Sequence, residues 1–306
     1  MSSDPSPLVD TDYEFALCLT HDVDRPYKTP FHACYYAYQD RQLDHLRDLR
    51  PSSNPYWQFE DIMQLEDDLG VRSAWYMLHE RRPTELSLSD LVDPATVIQQ
   101  FGRYDVDSPA MAAISRVLDD GGWEVGLHGS YTTADDPARL TYEKSRIEDT
   151  LGHSILGGRQ HYLRLSVPET WYHYANLDLY YDTSLGSSTE YGFADGYGVQ
   201  RPFGDDFVVF PLTLMEQTLP DPGTRFADAR RVCRELLTEA AANDAVMTVL
   251  WHPRYFNDRE FPGYRRVYRD LVEQALDMGA WVGSPGEFYT TYLEPDVEFP
   301  ASKQSV

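Results

Sequence analysis

The sequence predicts an α/β fold, a parallel barrel formed as one domain, and three observations point to it. Apolar stretches rich in β-branched and aromatic residues alternate with amphipathic helical stripes, which argues for parallel strands joined by right-handed crossovers. Neither GxGxxG nor GxxxxGK[ST] follows the first strand, so the glycine-rich phosphate cradle of a doubly wound nucleotide-binding sheet is missing. The 306 residues suit a barrel of roughly 250 residues with short appendages.

The strand-like stretches, in order, are Phe15–Thr20, Val71–Leu78, Trp123–Leu127, Gln160–Leu165, Leu179–Thr183, Phe207–Leu214, Val246–Trp251 and Trp281–Val282. Ser108-Pro109 opens a helix with Met111, Ile114 and Leu118 on one face and Gly121-Gly122 as its stop. Asp136-Pro137 opens another, carrying Leu140, Ile147 and Leu151 and ending at Gly152. Phe226–Asn243 bears a stripe at Val232, Leu236 and Ala240, and Tyr264–Gly279 one at Tyr264, Val267, Tyr268, Leu271, Val272 and Ala275. Residues 1–12 read as a disordered leader, 13–294 as the barrel domain and 295–306 as a polar tail. The polar segments Arg25–Asn54 and Arg81–Asp107 are long enough to be lids or insertions.

Charge narrows the function. With 50 acidic against 26 basic side chains, the net charge of −24 repels nucleic acid and anionic membrane surfaces, so neither is an expected partner. The acids are 32 Asp and 18 Glu, and the bases 23 Arg and only 3 Lys (Lys28, Lys144 and Lys303). Short, strongly hydrated carboxylates in place of lysine stems suit a halophilic cytoplasm, where salt screens repulsion over a few ångströms. Cys18, Cys34 and Cys233 form no CxxC pair, which fits a reducing compartment. No window approaches the ~18 apolar residues of a membrane span, and a soluble cytoplasmic protein is expected.

In parallel barrels the reactive side chains stand at the carboxyl ends of the strands. The first apolar run leads into His21-Asp22-Val23-Asp24, the second into His79-Glu80, the third into His128-Gly129-Ser130-Tyr131, and Val246–Trp251 into His252-Pro253. Arg159-Gln160-His161-Tyr162 lies in the fourth strand by this reading. His32, His45, His153 and His173 fall elsewhere and are expected to be solvated or structural. Because side chains alternate along a strand, Asp22 and Asp24 can face one pocket, where two carboxylates repel unless a cation or proton lies between them. A divalent metal meets that need: one carboxylate ligates while the other takes a proton from water, and His128 supplies a neutral imidazole.

Four segments in order, Leu19-Thr20-His21-Asp22-Val23-Asp24, Glu124-Val125-Gly126-Leu127-His128-Gly129-Ser130-Tyr131, Gly158-Arg159-Gln160-His161-Tyr162-Leu163-Arg164 and Leu250-Trp251-His252-Pro253, carry a resemblance across roughly residues 15–290. The chain resembles the polysaccharide deacetylases, the NodB-homology or carbohydrate esterase family 4 proteins. Tyr181-Asp182-Thr183-Ser184-Leu185-Gly186, and Pro211-Leu212 with Met215, look like the branch with a Thr-His-Asp-x-Asp first motif. The resemblance implies a distorted (β/α)7 TIM-like barrel of NodB type, one divalent metal (zinc first, with cobalt, nickel or manganese as alternatives), and removal of an acetyl group from a saccharide or sugar conjugate. It implies Asp22 as general base, Asp24 and His128 as metal ligands, and Arg159 as the residue orienting the base. Tyr162 would give a backbone N–H to the oxyanion, and His252 would be the general acid.

Two positions depart from the pattern. Thr132 stands where the second motif carries another histidine, and His161 where the third carries proline. His161 is the expected replacement ligand, against its being a hydrogen-bonding pocket residue, with His21 as a second option. Tyr131, Tyr162, Trp171, Tyr172, Tyr174, Tyr180 and Tyr181 could offer stacking platforms to a sugar. A cytoplasmic precursor of a surface glycan is the expected substrate. The competing readings are a non-catalytic carbohydrate-binding barrel with a degenerate metal site, supported by Thr132, and a related metal hydrolase of cyclic amides. If the acidic bias is a salt adaptation, the melting temperature rises between dilute and molar salt; a thermal scan unmoved by salt removes that idea.

Overall fold

The computed structural model describes residues 8, 11–39, 41, 46, 54–88, 92, 96–97, 100 and 102–297. Most of the expected leader, the tail beyond residue 297 and His45 lie outside the described residues. Among those described, nine strands form one curled sheet in the order β6-β5-β4-β3-β2-β1-β8-β7, with β9 also pairing β1. The strands are β1 (Phe15–Val23), β2 (Ala74–Leu78), β3 (Glu124–Gly129), β4 (Gly157–Gln160), β5 (Tyr181–Asp182), β6 (Val208–Val209), β7 (Leu212–Met215), β8 (Val246–Leu250) and β9 (Ala280–Gly283). Their ladders are parallel. Among the described residues no ladder joins the end strands β6 and β7. This is the expected distorted barrel.

β1 is the centre of the sheet, and all nine of its residues are buried, as a strand covered on both faces requires. One edge pairs with β8 through Ala16–Thr20. The other is shared: Phe15–Cys18 pair with β9 and Thr20–Val23 with β2. Along this edge β1 thus meets β9 at its amino end and β2 at its carboxyl end, where Asp22 lies.

The helices are α1 (Pro30–Gln39), α2 (Phe59–Leu69), α3 (Pro109–Asp120), α4 (Pro137–Leu151), α5 (Glu169–Ala175), α6 (Pro222–Ala242), α7 (Tyr264–Asp277) and α8 (Pro285–Phe288). Proline occupies the first turn of α3, α4, α6 and α8, where its missing N–H has no partner to lose. The Asp136 side chain accepts the Arg139 N–H at the start of α4, and Asp221 accepts the Gly223 N–H at the start of α6. α6 therefore begins before the expected Phe226. α1 lies inside the segment Arg25–Asn54 that reads as a loop.

Three strands depart from the sequence expectation. β2 starts at Ala74 rather than Val71, because Gly70, at φ 71°, closes α2 and the Val71 N–H bonds back to the Glu66 carbonyl. The single expected strand Phe207–Leu214 splits into β6 and β7 around Pro211, which has no N–H for a ladder. The fourth strand is Gly157–Gln160, not Gln160–Leu165, because Tyr162 and Leu163 adopt positive φ of 58° and 53° and turn the chain. His161 consequently lies just past the strand. The glycines there follow from proximity: a Cβ on Gly158 would stand 1.9 Å from the Leu127 carbonyl oxygen of the neighbouring β3.

A buried carboxylate ties the layers together. Glu66 of α2 accepts hydrogen bonds from Ser73 Oγ (2.8 Å), Trp123 Nε1 (2.6 Å), Tyr268 OH (2.5 Å) and His21 Nε2 (3.0 Å). The other ring nitrogen of His21 donates to the Trp251 carbonyl at 2.5 Å. One side chain thus links β1 with α2, α7 and the approach to β3. Two further histidines are buried, His32 at 5% and His79 at 1% exposure. Burial, followed by Arg25, Lys28 and Arg254 around His32 and by Arg139 beside His79, pushes both down to about 4.

Two predictions follow from these contacts. Gly158→Ala forces a backbone clash and destabilises by more than about 3 kcal/mol, whereas Gly70→Ala, with nothing within 4 Å of the added carbon, costs about 1–2 kcal/mol for its left-handed backbone. Urea unfolding midpoints check the order. His32 and His79 are neutral when folded but titrate near 6.5 when unfolded, so the unfolded chain binds more protons between those values. Stability therefore falls as pH drops from about 6.5 toward about 4, and His79→Gln makes the midpoint less steeply pH-dependent there.

Candidate metal centre

The site assembles from the carboxyl ends of four strands. β1 supplies Asp22 and, one residue past its end, Asp24; β3 supplies His128; β4 carries Arg159 and runs into His161; β8 leads into His252. The period-two alternation puts Asp22 and Asp24 on one side of β1 and His21 on the other. His21 is committed to Glu66 and Trp251, which removes it as a replacement ligand.

Asp24 is the focus. Its Oδ1 lies 3.0 Å from His128 Nε2 and 3.5 Å from His161 Nε2, and its Oδ2 lies 3.4 Å from His252 Nε2. One ligand atom from each of Asp24, His128 and His161 falls within 4.8 Å of the others. Asp22 Oδ2 is 3.7 Å from His128 Nε2, while its Oδ1 accepts from Arg159 Nη1 at 2.8 Å. These groups line a cavity of about 120 Å³.

The donor set suits a divalent ion. His128 Nδ1 lies 3.0 Å from the Arg159 carbonyl, which can only accept, so that nitrogen carries the proton. Its Nε2 therefore faces a carboxylate with a lone pair, a repulsive arrangement unless a proton or a cation stands between them. One carboxylate and two imidazoles form a three-ligand set of the kind that holds zinc with a position left open. Burial opposes charge on Asp24, yet the imidazoles of His161, His252 and His128 outweigh it and hold the carboxyl well below its usual range. Burial also disfavours charge on His128, but Asp22 and Asp24 raise it. Burial dominates at His161, pushing it down to about 4. At His252 burial is outweighed by Glu216 and Asp24, which raise it to about 10.

The other expected residues separate. Thr132 is exposed on the turn after β3, and the third place in the cluster is His161's. The ring of Tyr162 is 54% exposed and meets Tyr131 edge-on at 5.8 Å. Trp171, Tyr174 and Tyr181 are buried, so as core residues they cannot be stacking platforms. His79 stands apart from the cavity; it groups with Asp105 and Asp107, but Arg82 and Arg103 neutralise Asp105 and Arg146 neutralises Asp107.

Sequence reasoning missed Glu216. It is fully buried in the turn after β7, its Oε1 is 2.8 Å from His252 Nδ1, and its Oε2 accepts the His252 N–H at 3.3 Å. The signal was present: a carboxylate directly after an apolar run, in a chain where acids are too common for one to stand out. Arg25 and Arg254, which also line the cavity, were missed for a different reason, since neither ends a strand.

No protein-family model and no curated protein matches the chain. Among solved structures, it is similar to a protein assigned to the polysaccharide deacetylases from Mycobacterium smegmatis (TM-score 0.61, 16% identity, covering 94% of this chain and 93% of that one). It is similar also to one so assigned from Pseudomonas aeruginosa PAO1 (0.56, 12%, 94% of each chain), and to Puue allantoinase (0.55, 14%, 94% and 93%). Across 94% of its length, then, this chain has the fold of the polysaccharide deacetylases, the NodB-type distorted barrel.

Proposed function

We propose that the protein is a metal-dependent amide hydrolase that removes the acetyl group from an acetylated sugar, in the making of a surface glycan. The observation that carries this reading is the convergence of Asp24, His128 and His161 within 4.8 Å, with Asp22 held beside them by Arg159. The fold shared with polysaccharide deacetylases supports it. Asp24 Oδ1, His128 Nε2 and His161 Nε2 would hold the ion, zinc first among candidates. When bound, the ion supplies Lewis acidity toward the acetyl carbonyl and acidifies water.

The remaining chemistry belongs to the chain. The guanidinium of Arg159 fixes Asp22 through Oδ1 and leaves Oδ2 turned toward His128, so Asp22 acts as general base on the attacking water. The Tyr162 backbone N–H is assigned to the developing oxyanion, its left-handed φ of 58° turning the peptide away from strand geometry. His252 donates the proton that the leaving amine needs, and Glu216 orients its ring and favours its protonated form. The competing non-catalytic reading rests on Thr132; the nearness of His161 to Asp24 and His128 favours the hydrolase. The likeness to Puue allantoinase keeps cyclic amides on the substrate panel.

Metal content by elemental analysis and acetate release from N-acetylated oligosaccharides and sugar nucleotides test the proposal. Wild type takes up about one ion per chain and releases acetate. Asp22→Asn keeps the ion and loses about 10²–10⁴-fold in rate, while His161→Ala loses the ion. A metal-loaded wild type that frees no acetate from any substrate overturns the reading.

A further inference from the structure

The cavity beside the three-ligand cluster contains more positive charge than the proposed reaction uses. Arg25 and Arg254 both line it. Among the described residues neither is within ion-pair distance of a carboxylate, whereas most arginines elsewhere on the described surface are, Arg72 with Asp67 and Arg201 with Glu294 among them. In a chain of net charge −24, a guanidinium outside ion-pair distance of every described carboxylate is uncommon; Asp24 and Glu216 act on Arg254 only from farther off.

The two arginines are also neighbours. Both, together with Lys28, disfavour protonation of the buried His32, and both line the smaller adjoining pocket that runs along Pro26 and Tyr56. Lys28 is already paired with Glu260 at 2.7 Å. Within the site Asp22 is met by Arg159, Asp24 by the imidazoles of His128, His161 and His252 and Glu216 by His252, so Arg25 and Arg254 stand outside these pairings. A divalent ion at Asp24, His128 and His161 therefore leaves this pocket positive inside a strongly negative molecule. Two guanidiniums that line the same cavity repel each other unless an anion joins them, and their planar donor forks are shaped for phosphate or carboxylate oxygens.

We infer that the substrate is an anionic sugar, carrying a phosphate or carboxylate that Arg25 and Arg254 bind while the acetyl-bearing carbon faces the Asp24–His128–His161 cluster. This rests on the deacetylase reading for the acetyl group, but the anion site stands on its own residues. The acidic exterior repels such a substrate at long range, so recognition is confined to this pocket and weakens with added salt.

The test uses the zinc-loaded full chain, N-acetylglucosamine, its 1-phosphate and 6-phosphate, and the corresponding N-acetylated uronic acid. Acetate release and calorimetric binding are measured for each. At least one anionic sugar is expected to exceed the neutral one tenfold or more in kcat/KM and in affinity, the phosphate and uronate arms identifying the oxyanion. Arg25→Gln and Arg254→Gln each cut that preference about tenfold, chiefly through KM, and Arg254→Lys restores part of it; circular dichroism melts check folding. Equal binding of neutral and anionic sugars, or variants that weaken both alike, overturns the inference. If no sugar yields acetate but anion binding is present and lost in both Gln variants, the deacetylase reading fails and the anion site stands. Acetate release without anionic preference has the opposite meaning.

Discussion

Two carboxylates at the buried end of the central strand are tolerated only if opposite charge surrounds them, and that constraint organises the top of the barrel. Removing a carboxylate from water costs several kcal/mol even after relaxation. Asp22 is 3% exposed and is met by the guanidinium of Arg159. Asp24 is met by three imidazoles from three different strand ends. The positions of β3, β4 and β8 relative to β1 are thus set by charge compensation as well as by ladder hydrogen bonds. A divalent ion, as proposed, would complete that compensation at the point where His128 Nε2 otherwise turns a lone pair on a carboxylate.

The same strand carries a second ionic constraint on its opposite face. His21 points away from the cavity to Glu66, which also takes donors from Ser73, Trp123 and Tyr268. A shift of β1 by one residue would turn His21 into the cavity and Asp22 toward Glu66, placing two buried carboxylates together. The Glu66 network therefore fixes the register on which the site depends. Replacing any one donor leaves the others, but losing Glu66 strands four buried polar groups at once.

Much of this architecture was legible in the amino-acid order. The alternation Asp22-Val23-Asp24 announced a shared pocket, and His128 and His252 stood directly after apolar runs, because strand ends are where a short hydrophobic stretch meets polar chemistry. β4 was displaced by several residues for an equally physical reason. Glycine has low strand propensity, yet β4 begins at Gly157 and passes so close to β3 that a side chain at 158 would strike the Leu127 carbonyl. Local sequence encodes propensity, and that contact is tertiary. Glu216 was invisible for lack of contrast, one acid among fifty, and Arg25 and Arg254 because neither ends a strand and only the folded chain brings both to one cavity.

The position of the third imidazole has a mechanical consequence. A histidine at position 132 would sit on the exposed turn after β3, four residues beyond His128 and carried by the same loop. His161 instead follows Arg159 by two residues at the end of β4, and Arg159 is the group that holds Asp22. The expected metal ligand and the residue that orients the expected base thus share one strand end, and the Arg159 carbonyl also holds His128 Nδ1. β4 therefore touches the two imidazoles of the cluster and Asp22 at once, through His161, the Arg159 carbonyl and the Arg159 guanidinium. The cost is that His161 Nδ1 is buried without a hydrogen-bond partner, leaving its ring less firmly oriented than that of His128. On the proposed roles, the site couples a ligand and the base through one strand end and gives up part of the support that usually steadies a ligating imidazole.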